Sequence, residues 1–204
     1  MDSDSLSAIA NLVMATAASA GAIAAFIGLN TWKKQGIWQT DAELSRQILI
    51  ALYRYRDSLY SVRHPAMSES EMKFEPEIEM TVDEVRASGI INAYANRWEK
   101  HSEQRYNLDA LLIEADAVWG GELSDRVSSL KELEHELYAY INLFLKATYR
   151  TTGESQNEYN RILRLKRDIL YDPLDDDGDE FRRDFIEALE AAEDYLKQKL
   201  GRRK

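Results

Sequence analysis

A run of 24 consecutive positions, Leu6 to Leu29, carries no charged side chain (LSAIANLVMATAASAGAIAAFIGL). This run limits the possible folds more than any other feature. At 1.5 Å per residue a helix of that length spans roughly 36 Å, enough to cross a hydrocarbon core of ~30 Å with some tilt. A soluble helix of the same length would carry a charged face. A cleaved signal peptide needs a basic start, and this chain begins with Asp2 and Asp4, although Ala18-Ser19-Ala20 resembles a cleavage site. The expectation is a transmembrane helix.

The flanks suggest an orientation. Lys33 and Lys34 follow the run, and no Lys or Arg precedes it. The positive-inside rule then places the C-terminal side in the cytoplasm, with Trp32 and Trp38 suited to the membrane interface. Residues 1–38 are expected to form the anchor and juxtamembrane segment, and 39–204 a cytoplasmic domain. The expected location is an inner, cytoplasmic membrane, crossed once with the N-terminus outside.

Small residues recur within the run. Ala17, Gly21 and Ala25 lie four apart, as do Ala20, Ala24 and Gly28. Such rows let helix backbones approach closely in lipid, and they suggest a homo-oligomer. Asn11, Thr16 and Ser19 would line a polar path in it or bond to their own backbone.

Composition narrows the function classes. The 204 residues hold 36 acids and 26 bases, a formal net charge of −10, with no cysteine and three prolines. Without cysteine there is no disulfide framework, thiolate metal site or cysteine nucleophile. The acidic balance argues against a general nucleic-acid binder. The expected partners are the lipid bilayer, further copies of the chain and a cytosolic protein.

Beyond the run the pattern is helical. Thr40-Asp41-Ala42-Glu43 and Thr81-Val82-Asp83-Glu84 both read as capping boxes. The first would start a helix reaching Arg63, with Leu44, Ile48, Leu52, Tyr55, Leu59 and Val62 inward. Residues 66–80, rich in Glu and interrupted by Pro76, read as a mobile loop. A helix from Val82 to Trp119 would bury Val85, Ile91, Tyr94, Trp98, Leu108, Leu112 and Ala115, with Gly89 and Asn107 as possible breaks. Leu123–Tyr149, Ser155–Tyr171 and Asp179–Leu200 complete the set, the last with Phe181, Phe185, Leu189, Ala192 and Leu196 inward. The expected fold class is all-α: one N-terminal transmembrane helix followed by an antiparallel bundle of about five helices.

Two places invite chemistry. The acidic loop Asp172–Glu180 resembles a calcium loop, but aligning Gly178 on the turn puts Pro173 in the first ligand position. No metal or cofactor is expected; Asp175, Asp177 and Asp179 are the side chains that would serve if a cation bound. Arg97 and His101 are the candidate catalytic pair, four apart on one helix face. His101 would otherwise be a partly exposed residue beside Glu103 and Gln104. The basic row Arg161, Arg164, Lys166 and Arg167 is expected to pair with the excess acids.

Trp32-Lys33-Lys34, Glu43 with Arg46, and Tyr53-Arg54-Tyr55-Arg56-Asp57 together resemble a group of uncharacterised bacterial single-span proteins. The layout is also similar to CRISPR-associated membrane accessory proteins whose bundles look like HEPN domains with a degraded motif. HEPN RNases have four to six residues between the Arg and the His; here only three intervene between Arg97 and His101. This resemblance implies a bacterial membrane protein acting in antiviral defence by perturbing the membrane. The alternatives are a HEPN-like RNase and a membrane-tethered adaptor that recruits a cytosolic partner.

Overall fold

The computed structural model describes residues 3–75, 79–173 and 178–201. Among the described residues the chain is entirely helical and irregular, with no strand. The elements are α1 (Ser3–Arg63), α2 (Glu69–Met72), α3 (Val82–Trp119), α4 (Glu122–Leu145), a π-helical turn at Lys146–Arg150, α5 (Glu154–Arg164) and α6 (Glu180–Gly201).

The 61 residues of α1 form one unbroken helix, roughly 90 Å long. The Thr40 capping box is therefore a correction. A cap needs a non-helical residue before it, and here the helix arrives already formed. Thr40 Oγ1 bonds back to Gly36 O at 3.1 Å, and Glu43 turns to Arg46 at 2.6 Å. The Thr81 box does form: Thr81 accepts from the Glu84 amide, and the Glu84 carboxylate accepts from the Thr81 amide at 2.8 Å. Ser68 and Glu71 form another around α2, so the acidic connector holds a short capped helix where a loop was expected. Its residues 76–78 lie outside the described residues.

Leu44, Ile48, Leu52, Tyr55, Leu59 and Val62 of α1 are buried, joined by Leu108 and Leu112 of α3, Leu130 and Leu137 of α4, and Phe181, Phe185 and Leu196 of α6. α1 packs on α3 and α6, and α4 packs on α3 and α6. α3 runs through Gly89 and Asn107 without a break. At Gly89 the Met72 backbone comes so close that an added Cβ would sit 3.0 Å from the Met72 carbonyl oxygen. Gly120 ends α3 at φ +81°, a conformation that strains residues with a Cβ. Val85, expected inward, is exposed.

Two further boundaries differ from expectation. α4 gives way to the π turn rather than continuing to Tyr149. α5 ends at Arg164, seven residues before Tyr171, and Leu165 is exposed. The chain from there is irregular, and it buries Ile169 and Leu170.

Candidate functional site

The first candidate region is the N-terminal half of α1. Leu12, Met14, Ile23, Phe26, Ile27, Trp32 and Ile37 are all more than half exposed. A row of exposed large apolar side chains this long needs an apolar environment or a partner. Within α1 lies the one described helix long and apolar enough, by length and composition, to cross a membrane. Gly21 and Gly28 have open space around them, and Ala17, Ala20, Ala24 and Ala25 are exposed. Thr16 and Ser19 bond to the carbonyls of Leu12 and Ala15 at 3.0 and 2.8 Å, so both hydroxyls satisfy their own helix. Trp32, Lys33 and Trp38 are exposed on the same helix. The side chains of Asn11 and Lys34 lie outside the described ones.

The second region is the interior of the helical assembly, where α3 brings Arg97 and His101 inward on one face. They do not meet a common partner. Arg97 reaches the connector: Nε and Nη2 bond the Glu71 carboxylate at 2.9 and 3.0 Å, and the guanidinium also donates to the carbonyls of His64 and Ala66. That grip holds Glu71 at a pKa of about 2, chiefly through the Arg97 hydrogen bond and against the effect of burial. Arg97 thereby staples the chain between α1 and α3.

His101 is fully buried, so the alternative reading of a partly exposed residue beside Glu103 and Gln104 does not hold. Its Nδ1 lies 2.8 Å from Ser58 Oγ, and Nε2 lies 3.4 Å from Glu134 Oε1 on α4. The Tyr55 hydroxyl donates to Glu134 Oε2 at 2.9 Å, and Arg105 Nη1 approaches Oε1 at 3.4 Å. Burial alone would raise the Glu134 carboxyl. The His101 ring, the Tyr55 hydroxyl and the Arg105 charge outweigh it, and the group lies below its ordinary value. Burial and the nearby Glu134 charge push the Tyr55 phenol up. Tyr55 and Trp98 flank the ring, with centroids 5.0 and 5.3 Å away. Ser58, His101 and Glu134 thus follow one another as in a nucleophilic triad. Yet His101 and Glu134 are sealed between α1, α3 and α4, so the arrangement ties three helices together.

A third cluster escaped the sequence reading. Arg63, the last residue of α1, is fully buried. Its Nε donates to Ile169 O at 2.9 Å, Nη2 to Tyr171 O at 3.0 Å and Nη1 to Asp179 Oδ2 at 2.6 Å, with the guanidinium 4.6 Å from the Phe181 ring. Asp179 also receives the Arg182 amide at the start of α6. Its two carboxylate oxygens therefore serve Arg63 and the helix start. Asp175 and Asp177 lie outside the described residues. Among the described residues no group of three His, Asp or Glu side chains is arranged to hold a metal ion. In the basic row, Arg161 pairs with Glu158, and Arg167 with Glu136 and Asp184.

The signal for these three clusters is thin in the sequence. Each joins side chains far apart along the chain: Arg63 to Asp179, Tyr55 to Glu134, Glu71 to Arg97. Only the placement of Arg97 and Glu134 among apolar positions at helical spacing hints that they turn inward.

Comparison of the chain with protein-family models, curated proteins and solved structures found no match.

Proposed function

We propose that this chain is a non-enzymatic, membrane-anchored helical protein that self-associates through its span, with the helical domain on the cytoplasmic side. The supporting observation is the contrast along α1: the described side chains from Leu12 to Trp38 are exposed and mostly apolar, whereas from Leu44 onward an apolar stripe is buried. Lipid satisfies the first part, and the domain's own core satisfies the second. The small-residue rows supply a face on which spans pack closely. The polar side chains best equipped for chemistry are turned inward and bonded to one another, which suits a structural rather than a catalytic role. The resemblance adds a setting, phage defence by membrane perturbation, and self-association in the membrane is the step such a role requires.

Crosslinking and native mass spectrometry of the detergent-solubilised chain test the proposal. The expected result is an oligomer that Gly21→Leu weakens, from a protein that stays in the membrane fraction after alkaline extraction. A strict monomer indifferent to Gly21→Leu would overturn self-association. Extraction into the soluble fraction would overturn the anchor. Since the chain lacks cysteine, single cysteines at Ser3 and Ser128 probed with an impermeant maleimide report orientation.

A further inference from the structure

Trp98 with Tyr138, Arg105 with Glu134, Asp109 with Lys131 and Asp116 with Ser124 pair in descending register, so α3 and α4 run antiparallel from the Gly120-Gly121 turn. Far from that turn, a cleft of about 330 Å³ opens between the two helices. This is the small end of the range for ligand pockets. Its floor is Tyr94 of α3 with Ile141 and Leu145 of α4, all buried. One wall is aromatic: the Trp98 and Tyr138 ring centroids lie 4.7 Å apart, and Tyr138 is 44% exposed. The buried Tyr94 hydroxyl makes no hydrogen bond of good geometry. Burial, and then the Tyr171 phenol near it, push its pKa up.

The two charged side chains of the lining sit at opposite ends. Glu99 follows Trp98 on α3, whereas Arg150 lies beyond Leu145. Leu145 is seven residues past Tyr138, and it opposes the stretch of α3 near Ile91, seven residues before Trp98. Seven residues span roughly 10 Å of helix. Neither Glu99 nor Arg150 has an ion-pair partner among the described residues.

The π-helical turn brings Arg150 to this place. In a continued α-helix, at roughly 100° per residue, Arg150 would lie about 140° round the axis from Leu145 and face away from the cleft. The wider turn over Lys146–Arg150 advances only about 82° per residue, which brings Arg150 to within about 50° of Leu145. Tyr149 packs edge-on against Phe144 instead, with centroids 6.0 Å apart. Departures of this kind from α-helical bonding recur at functional sites.

We propose that this cleft binds a small planar molecule: an aromatic or heteroaromatic ring with an anionic group at one end and a hydrogen-bond donor at the other. The ring lies on Trp98 and Tyr138 above the apolar floor, Arg150 takes the anion, and Glu99 accepts from the donor. A nucleoside monophosphate and an amino-substituted aromatic carboxylate share this chemistry. The site uses no residue of the span, so it stands apart from the membrane-anchor reading.

Isothermal titration calorimetry of the full chain in a neutral detergent, with empty micelles as the blank, tests the proposal. The probes are adenosine monophosphate, 6-amino-2-naphthoate and adenosine, which keeps the ring and amino group and lacks the anion. The expected result is saturable binding of an anionic probe at one site per chain, with a Kd below about 1 mM. Binding of the monophosphate alone assigns phosphate as the anion, and binding of the naphthoate alone assigns carboxylate. Arg150→Gln should weaken the bound probe about tenfold or more, the loss of a hydrogen bond to a charged group. Tyr138→Ala should weaken it about fivefold. Lys146→Gln removes an exposed cation of the same turn that is not part of the lining, and should leave affinity unchanged. Arg150, Tyr138 and Lys146 are all exposed, so an unchanged melting temperature should accompany each variant. Failure of both anionic probes to bind at about 10 mM overturns the proposal. Affinity indifferent to Arg150→Gln, or lowered equally by Lys146→Gln, overturns the site, and adenosine binding as tightly as its monophosphate overturns the role of the anion.

Discussion

The two halves of α1 share one unbroken backbone and obey opposite surface rules. From Leu12 to Trp38 the described side chains are exposed and mostly apolar; from Leu44 to Arg63 the helix alternates a buried apolar stripe with charged positions such as Arg46, Arg54 and Asp57. Backbone hydrogen bonding is local and blind to this change, so the helix runs through it. What changes is the medium each side chain needs. A helix is therefore one element of secondary structure and need not be one unit of tertiary structure.

Substitutions that are harmless in one half and severe in the other would sharpen this contrast. Leu52→Asp places an unpaired carboxylate where the side chain has no solvent access. It should cost about 4–5 kcal/mol or unfold the helical domain, read by thermal denaturation. Arg63→Met should cost about 3–5 kcal/mol, because it strands Asp179 and frees the carbonyls of Ile169 and Tyr171. Ile23→Asp should leave thermal unfolding of the domain unchanged and disfavour insertion by about 3 kcal/mol, measured as the membrane-retained fraction. If Ile23→Asp lowered the domain's melting temperature as much as Leu52→Asp, the distinction between the halves would be lost.

Acid should act on the domain and spare the span. Glu71 and Glu134 both lie below their ordinary values in the folded chain. The unfolded chain therefore takes up more protons as pH falls, and stability present above about pH 4.5 is lost as pH drops toward about 2. Melting temperature followed from pH 7 to pH 2 should decline over that window, and Glu71→Gln should flatten part of the decline. Span insertion should show no such dependence, because residues 6–29 contain no titratable side chain.

The all-helical character and most inward faces were legible from spacing alone. Phe181, Phe185, Leu189, Ala192 and Leu196 repeat at helical intervals and are all buried. The failures share a cause. Thr40-x-x-Glu43 matches a cap, but a cap is decided by whether the preceding residues are helical, and no Pro or Gly adjoins Thr40 to stop them. α5 ends early because Ile169 and Tyr171 offer their carbonyls to Arg63, over a hundred residues away along the chain. His101 looked exposed because its partners, Ser58 and Glu134, sit on other helices. Arg97 and His101 are adjacent on one face, yet the first serves the connector and the second the interior.

The continuity of α1 also fixes a rotational phase. Successive residues advance roughly 100° around a helix axis. Ile48, in the middle of the buried stripe, follows Gly21 by 27 residues, roughly seven and a half turns. The small-residue face therefore points away from the side on which the domain is mounted. Copies meeting through Gly21 and its neighbours would carry their domains outward, like blades around a hub, with the centre left clear. Inserting two residues between Trp38 and Thr40 would swing the domain by about 200° and bring it over that centre.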